Sequence, residues 1–202
     1  SKSDTEVILH AYEAWGERSG ARLNGIFAFA IAHLDSGRLF LARDRAGVKP
    51  LYYFYENGRF AFSSEIKALL AHPIDRTVSP EAINAYFRLL YIPAPHTIWM
   101  KIKKFPQAAY AVIENGGIQF TRYWGIENTK DLKDIPAIKS EVRRLFDDAV
   151  TRQMVSDRPI GLFLSGGIDS TAILGAMATR ASSIQTFSVG FADTPEREKY
   201  NR

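Results

Sequence analysis

The feature that most constrains this chain is a six-residue turn, Ser165-Gly166-Gly167-Ile168-Asp169-Ser170. It stands directly after a short unbroken apolar run (residues 160–164) and directly before a helical pattern that reaches about Ala181. An apolar run of that length reads as a buried parallel strand, and a second follows at residues 186–191. Strand, tight turn, helix and strand in that order make a β-turn-α-β unit. The turn falls where a helix leaves its first N–H groups unpaired and the positive end of its dipole exposed. Gly166 and Gly167 allow the backbone to close around an anion, and Ser165 and Ser170 add hydroxyl donors. Together they form a phosphate-binding nest. Asp169 would repel such a ligand unless a cation lay between them, which assigns it to Mg2+ bridging phosphate oxygens. The loop matches neither the Walker A pattern nor the dinucleotide fingerprint. The bland alternative is a strand–helix turn that merely happens to be rich in Ser and Gly.

The first half has a different texture. Ser3-Asp4-Thr5-Glu6 is a capping box, and Val7, Ile8, Tyr12 and Trp15 follow at helical spacing until Gly16 or Gly20. The period then becomes two. Strands are expected over residues 25–33, 38–43, 51–55 and 59–63, with Asn57-Gly58 closing a hairpin because both tolerate positive φ. Short helices are expected over residues 65–71 and from Pro80, capped by Ser79, to about Leu90. Residues 108–113 and 118–123 flank Asn115-Gly116-Gly117 as a further hairpin, and residues 138–154 form an amphipathic helix.

Ser165-Gly166-Gly167-Ile168-Asp169-Ser170 resembles the pyrophosphate loop of the ATP pyrophosphatase superfamily. Thr186-Phe187-Ser188-Val189-Gly190-Phe191 is similar to that superfamily's second strand, so Ser188 and Val189 are implied to lie beside the adenine. Several families share the loop, and the first half chooses among them. Arg22-Leu23-Asn24-Gly25-Ile26-Phe27-Ala28-Phe29-Ala30, then Leu41-Ala42-Arg43-Asp44-Arg45 with Gly47 and Lys49-Pro50-Leu51-Tyr52-Tyr53, resemble class II glutamine amidotransferase domains. So do residues 60–69. That order, glutaminase then pyrophosphate loop, is the order of glutamine-hydrolysing asparagine synthetases. Residues 91–99 are similar to the family's connector, and Phe105-Pro106-Gln107-Ala108-Ala109 departs from its usual turn.

The resemblance implies an α+β, αββα glutaminase portion of the N-terminal-nucleophile type over residues 1–125 and a linker over 126–136. The start of an α/β parallel-sheet ATP pyrophosphatase domain follows over 137–202. It implies ATP and Mg2+ as cofactors, glutamine as nitrogen donor, aspartate or another carboxylate as acceptor, a cytoplasmic setting, and leaves a homodimer open. Loop residues 165–170 are implied to grip pyrophosphate, and Asp4 to bind the α-amino group of glutamine, where a plain helix-dipole role is the alternative. The family nucleophile is an N-terminal cysteine. The chain has no cysteine, so no catalytic residue is assigned, and Ser1 is not promoted to the role. Both ends read as internal to a longer protein, and the chain alone is expected to have neither glutaminase nor synthetase activity. Three alternatives stay open: an amidotransferase acting on another carboxylate, a β-lactam synthetase-like relative, and a non-catalytic nucleotide-binding module.

Other functions are disfavoured by composition. A net charge of +4 is dispersed, and Lys101, Lys103 and Lys104 read as a solvated run, as do Arg143 and Arg144. Nucleic-acid binding needs a basic stripe, which is missing. No apolar run reaches the ~20 residues of a membrane span. His10, His33, His72 and His96 lack ligand spacing. Arg43, Asp44, Arg45 and Lys49, leading out of a strand, are expected to fix a turn rather than to catalyse, and Glu65 to serve a helix dipole.

Overall fold

The computed structural model describes residues 3–127 and 133–190. The chain divides into two compact units, residues 1–127 and 128–202.

The first unit opens with α1 (Asp4–Trp15). Ser3 Oγ accepts the Glu6 N–H at 3.4 Å, and Gly16 at φ 57° ends the helix. A 3-10 turn (Gly16–Arg18) and α2 (Ser19–Arg22) lead to the strands. These are β1 (Ala28–Ala32), β2 (Leu39–Arg43), β3 (Tyr52–Glu56), β4 (Arg59–Ser63), β5 (Ile102–Lys104), β6 (Ala109–Glu114) and β7 (Gly117–Arg122). Between β4 and β5 lie α3 (Ile66–Leu69) and α4 (Pro80–Leu89). Asn57 and Gly58 sit at φ 52° and 72°, and Asn115 and Gly116 at φ 51° and 73°, so two tight turns form the β3–β4 and β6–β7 hairpins.

Two antiparallel sheets result, in orders β1-β2-β6-β7 and β4-β3-β5. Strand alternation assigns each side chain to a layer. Leu41 of β2 and Ala111 of β6 point inward and form a core with Leu51, Phe105 and Ala109, against which Tyr53 and Phe60 of the second sheet pack. Phe40, the neighbour of Leu41, points the other way, and its ring meets Tyr12 of α1 at 4.8 Å. On the second sheet Phe54 faces outward onto Leu69 of α3, with Ile74 and Ile102. Helix, sheet, sheet and helix therefore stack in that order, the α+β layering expected of this half.

One expectation holds only in part. Lys101 is exposed, as a solvated run requires, but Lys103 and Lys104 belong to β5, an edge strand, and are half-buried beside the fully buried Ile102. Lysines blunt a sheet edge while the residue between them enters the core.

The second unit holds α5 (Ile135–Gln153), β8 (Gly161–Phe163), α6 (Ile168–Ala178) and β9 (Gln185–Phe187). Asp134 Oδ1 caps α5 by accepting the Ala137 N–H at 3.1 Å, so the helix starts before the amphipathic pattern does. Residues 128–132 lie outside the described residues. β8 and β9 are parallel, as the β-turn-α-β reading requires. They are shorter than the apolar runs, and they are not buried: Phe163 is 81% exposed and all of β9 is exposed. Two strands present two open edges, and the described residues cover them incompletely. Phe191, assigned to the second strand, lies outside the described residues.

Candidate functional site

The hexapeptide bridges β8 and α6. Gly166 takes φ 78°, the left-handed region that favours glycine. Gly167 is the N-cap of α6 and has no side chain to cap it, which leaves the first-turn N–H groups for an outside acceptor. α6 begins at Ile168, inside the hexapeptide rather than after it, so Ile168, Asp169 and Ser170 form its first turn. The hydroxyls brace the turn. Ser165 Oγ lies 3.1 Å from Ser170 Oγ, while Ser170 Oγ and Thr171 Oγ1 donate to the Gly167 carbonyl at 3.1 and 2.8 Å. Thr171 was not singled out by the motif, although it directly follows it. Ile168 is 89% exposed and Asp169 is exposed, so the loop presents an open surface.

Ser188 and Val189 fall just past the end of β9. Ser188 Oγ donates to the Leu164 carbonyl at 2.7 Å, and the Leu164 N–H donates to the Phe187 carbonyl at 2.8 Å. The two segments assigned to nucleotide are thus tied together at one end of the parallel pair. Close packing helps: a Cβ on Gly161 would come within 2.5 Å of the Phe187 ring.

Asp4 occupies the first turn of α1 and is exposed. The helix that carries it is held at its far end. The Tyr12 ring packs on Phe40 and lies 5.4 Å from His33. Arg38 Nη1 donates to the Tyr12 oxygen at 3.3 Å, and the same oxygen is hydrogen-bonded with His33 Nε2 at 2.9 Å. Arg38 Nη2 also donates to Glu17 Oε1, and the Tyr110 hydroxyl donates to Glu17 Oε2 at 2.9 Å. Burial raises the pKa values of Tyr12 and Tyr110 above the ordinary phenol value, so both hydroxyls stay protonated at neutral pH. No local spacing in the sequence points to this cluster, since its members come from three separated stretches, residues 12–17, 33–40 and 110.

Arg43 and Asp44 serve the loop after β2, as expected. The Asp44 carboxylate, 1% exposed, accepts the Ala46, Val48 and Lys49 N–H groups at 3.1, 2.9 and 3.0 Å. The Arg43 guanidinium donates to the carbonyls of Lys49, Phe105 and Gly47 at 2.7, 2.5 and 2.7 Å. Glu65 pairs with Lys67 at the start of α3. Among the described residues no three His, Asp or Glu groups come together as metal ligands, and no helix is long and apolar enough to cross a membrane. Arg144 is held by Glu141 on its own helix.

A family model described as glutamine amidotransferase domain matches residues 1–124, and one described as asparagine synthase matches residues 141–202. The chain is 42% identical to asparagine synthetase [glutamine-hydrolyzing] 3 of Bacillus subtilis, over 98% of this chain and 33% of that protein. It is 37% identical to asparagine synthetase [glutamine-hydrolyzing] 1 of the same organism, over 94% and 30%, and 31% identical to the Bos taurus enzyme, over 97% and 36%. It therefore spans about a third of the length of these relatives. Among solved structures, a glutamine phosphoribosylpyrophosphate amidotransferase from B. subtilis is similar over 95% of this chain and 40% of its own, at 15% identity and TM-score 0.41. The match over residues 1–124 covers more than half of the chain, which belongs to the glutamine amidotransferase domain family.

Proposed function

We propose that this chain is part of a glutamine-dependent asparagine synthetase, residues 1–125 contributing to its glutaminase domain and residues 137–202 opening its ATP pyrophosphatase domain. The observation that carries the reading is the succession, in one chain, of a glutamine amidotransferase match and an asparagine synthase match. The geometry of the loop agrees with the second half of it.

In this reading the aspartate β-carboxylate attacks the α-phosphorus of ATP and pyrophosphate departs. Ammonia released from glutamine then attacks the acyl carbon, and AMP leaves. The open N–H groups of α6 bind the departing pyrophosphate, with Ser165 and Ser170 holding the turn in shape. Ser188 and Val189 flank the adenine. Asp4 pairs with the α-ammonium of glutamine. The residues present fit Mg2+: one exposed carboxylate, Asp169, stands in the first turn of a helix whose N-cap has no side chain to occupy the first N–H groups, and Mg2+ bound with phosphates needs only one or two carboxylates. When bound, it supplies the positive charge that lets a carboxylate share a pocket with phosphates.

The test is pyrophosphate release by the full-length protein with ATP, Mg2+ and aspartate, first with ammonium and then with glutamine. Aspartate-dependent release with both nitrogen sources is expected. Absence of release with aspartate refutes the assignment of the acceptor. Release with ammonium alone refutes the glutaminase half.

A further inference from the structure

α1 is supported unevenly. Its first two turns are mostly open to solvent, with Val7 59% and Leu9 46% exposed and only Glu6 and Ile8 half-buried, and Ala11 is its single buried residue. Among the described residues, Tyr12 and, just beyond the helix end, Glu17 tie it to the four-stranded sheet. Tyr12 is held by the Phe40 ring, by His33 and by Arg38, and Glu17 by Arg38 and Tyr110. Arg38 is therefore the shared partner, reaching both residues from the segment that enters β2. Charge-assisted bonds of this kind fix direction as well as adding energy.

Asp4 stands eight residues from Tyr12, about 12 Å along the axis at about 1.5 Å per residue. A tilt of about 5° at the anchored end displaces the Asp4 carboxylate by about 1 Å, and misplacement by that much can cost on the order of a hundredfold in an enzyme site. We propose that Glu17 and Tyr12, through Arg38, are positioning residues for glutamine: they set the pitch of α1 and thereby the place of the Asp4 carboxylate. This rests on the reading of Asp4 as the glutamine-binding carboxylate.

The experiment uses the full-length protein and four variants: Asp4→Asn, Glu17→Gln, Tyr12→Phe, and Glu17→Gln combined with Asp4→Asn. Glutamine KM, ammonium-driven asparagine synthesis and Tm are measured for each. Glu17→Gln and Tyr12→Phe are expected to raise the glutamine KM about fivefold or more while leaving the ammonium-driven rate within about twofold. Tyr12→Phe keeps the ring on Phe40, so it tests the hydroxyl without opening the core. Because the two residues act through Asp4, Glu17→Gln is expected to add little to the effect of Asp4→Asn.

An unchanged KM in both single variants, with Asp4→Asn raising it, overturns the positioning role and leaves the Asp4 reading intact. An unchanged KM in Asp4→Asn removes the reading itself. Full additivity in the double variant, or a parallel loss of Tm and of both activities in the single variants, reduces the cluster to ordinary scaffolding and also overturns the inference.

Discussion

Asp44→Asn is the sharpest test of how the loop after β2 is held. The carboxylate is 1% exposed and takes three backbone N–H groups, two on Oδ1 and one on Oδ2. Asparagine has the same shape with one acceptor oxygen. The least costly orientation keeps that oxygen on Ala46 and Val48 and turns its NH2 group toward the Lys49 N–H, donor against donor. A hydrogen bond to a charged group contributes about 1.5–3 kcal/mol, so loss of the Lys49 bond alone corresponds to about 10- to 150-fold in local opening. The two remaining bonds lose their charge assistance, and relief of the buried carboxylate's desolvation offsets part of that, giving about 2–4 kcal/mol in all. Hydrogen exchange on the full-length protein reads this directly. The Lys49 amide is expected to accelerate at least about tenfold, more than Ala46 or Val48, while the proposed synthetase activity per folded molecule is retained. Unchanged exchange at Lys49, or a rise uniform across the whole unit, would refute the reasoning. Loss of activity without loss of structure would move Asp44 from turn-holder to catalyst.

Tyr123 provides a pH test. Burial, with the nearby Asp44 charge, pushes its hydroxyl up to about 12, while it donates to the Arg43 carbonyl at 2.7 Å. The unfolded chain releases this proton near pH 10, so stability is fully present below about pH 10 and is lost as pH rises toward about 12. Tyr123→Phe is expected to flatten that alkaline decline in urea midpoints, and an identical slope in both proteins would argue against it. In α6, Gly175→Ala meets nothing within 4 Å and is expected to stabilise by about 0.5–1 kcal/mol, whereas Gly161→Ala must displace the Phe187 ring and is expected to lower Tm. Leu90, 81% exposed, ends α4 at φ 60°, and Leu90→Gly is expected to raise stability by up to about 1 kcal/mol by relieving a left-handed leucine. A decrease in Tm would show that the exposed leucine makes a contact worth more than the strain.

What the sequence made legible was local. Ser3 with Glu6, Ser79 with Pro80, and the Asn-Gly pairs each announce a cap or turn through the chemistry of neighbouring residues, and the structure has those caps and turns where expected. β5 has no signature in the sequence because three residues carrying two lysines hold no periodic pattern, and only pairing with β3 makes them a strand. β8 and β9 are less buried than their apolar runs imply, because an apolar run reports what a strand prefers, not what is present to cover it. The same divide runs through the candidate sites. The hexapeptide is contiguous, so its chemistry can be seen in one line of sequence. Tyr12, Glu17, Arg38 and Tyr110 meet only after the first sheet has formed, and no spacing rule connects them.

The order of strands in that sheet has a kinetic consequence. β1 with β2, and β6 with β7, are hairpins between neighbours in sequence, but β2 pairs with β6 across everything from residue 44 to residue 108. Closing a loop of that size costs on the order of 4 kcal/mol in chain entropy before any contact repays it. The two hairpins can form within microseconds, and their docking is the slow, non-local event. During synthesis the growing chain therefore carries a half-sheet with a bare edge on β2, including the wholly apolar Leu39-Phe40-Leu41-Ala42, until β6 leaves the ribosome. That interval, rather than any weakness of the finished fold, is where this unit is most exposed to mispairing and aggregation.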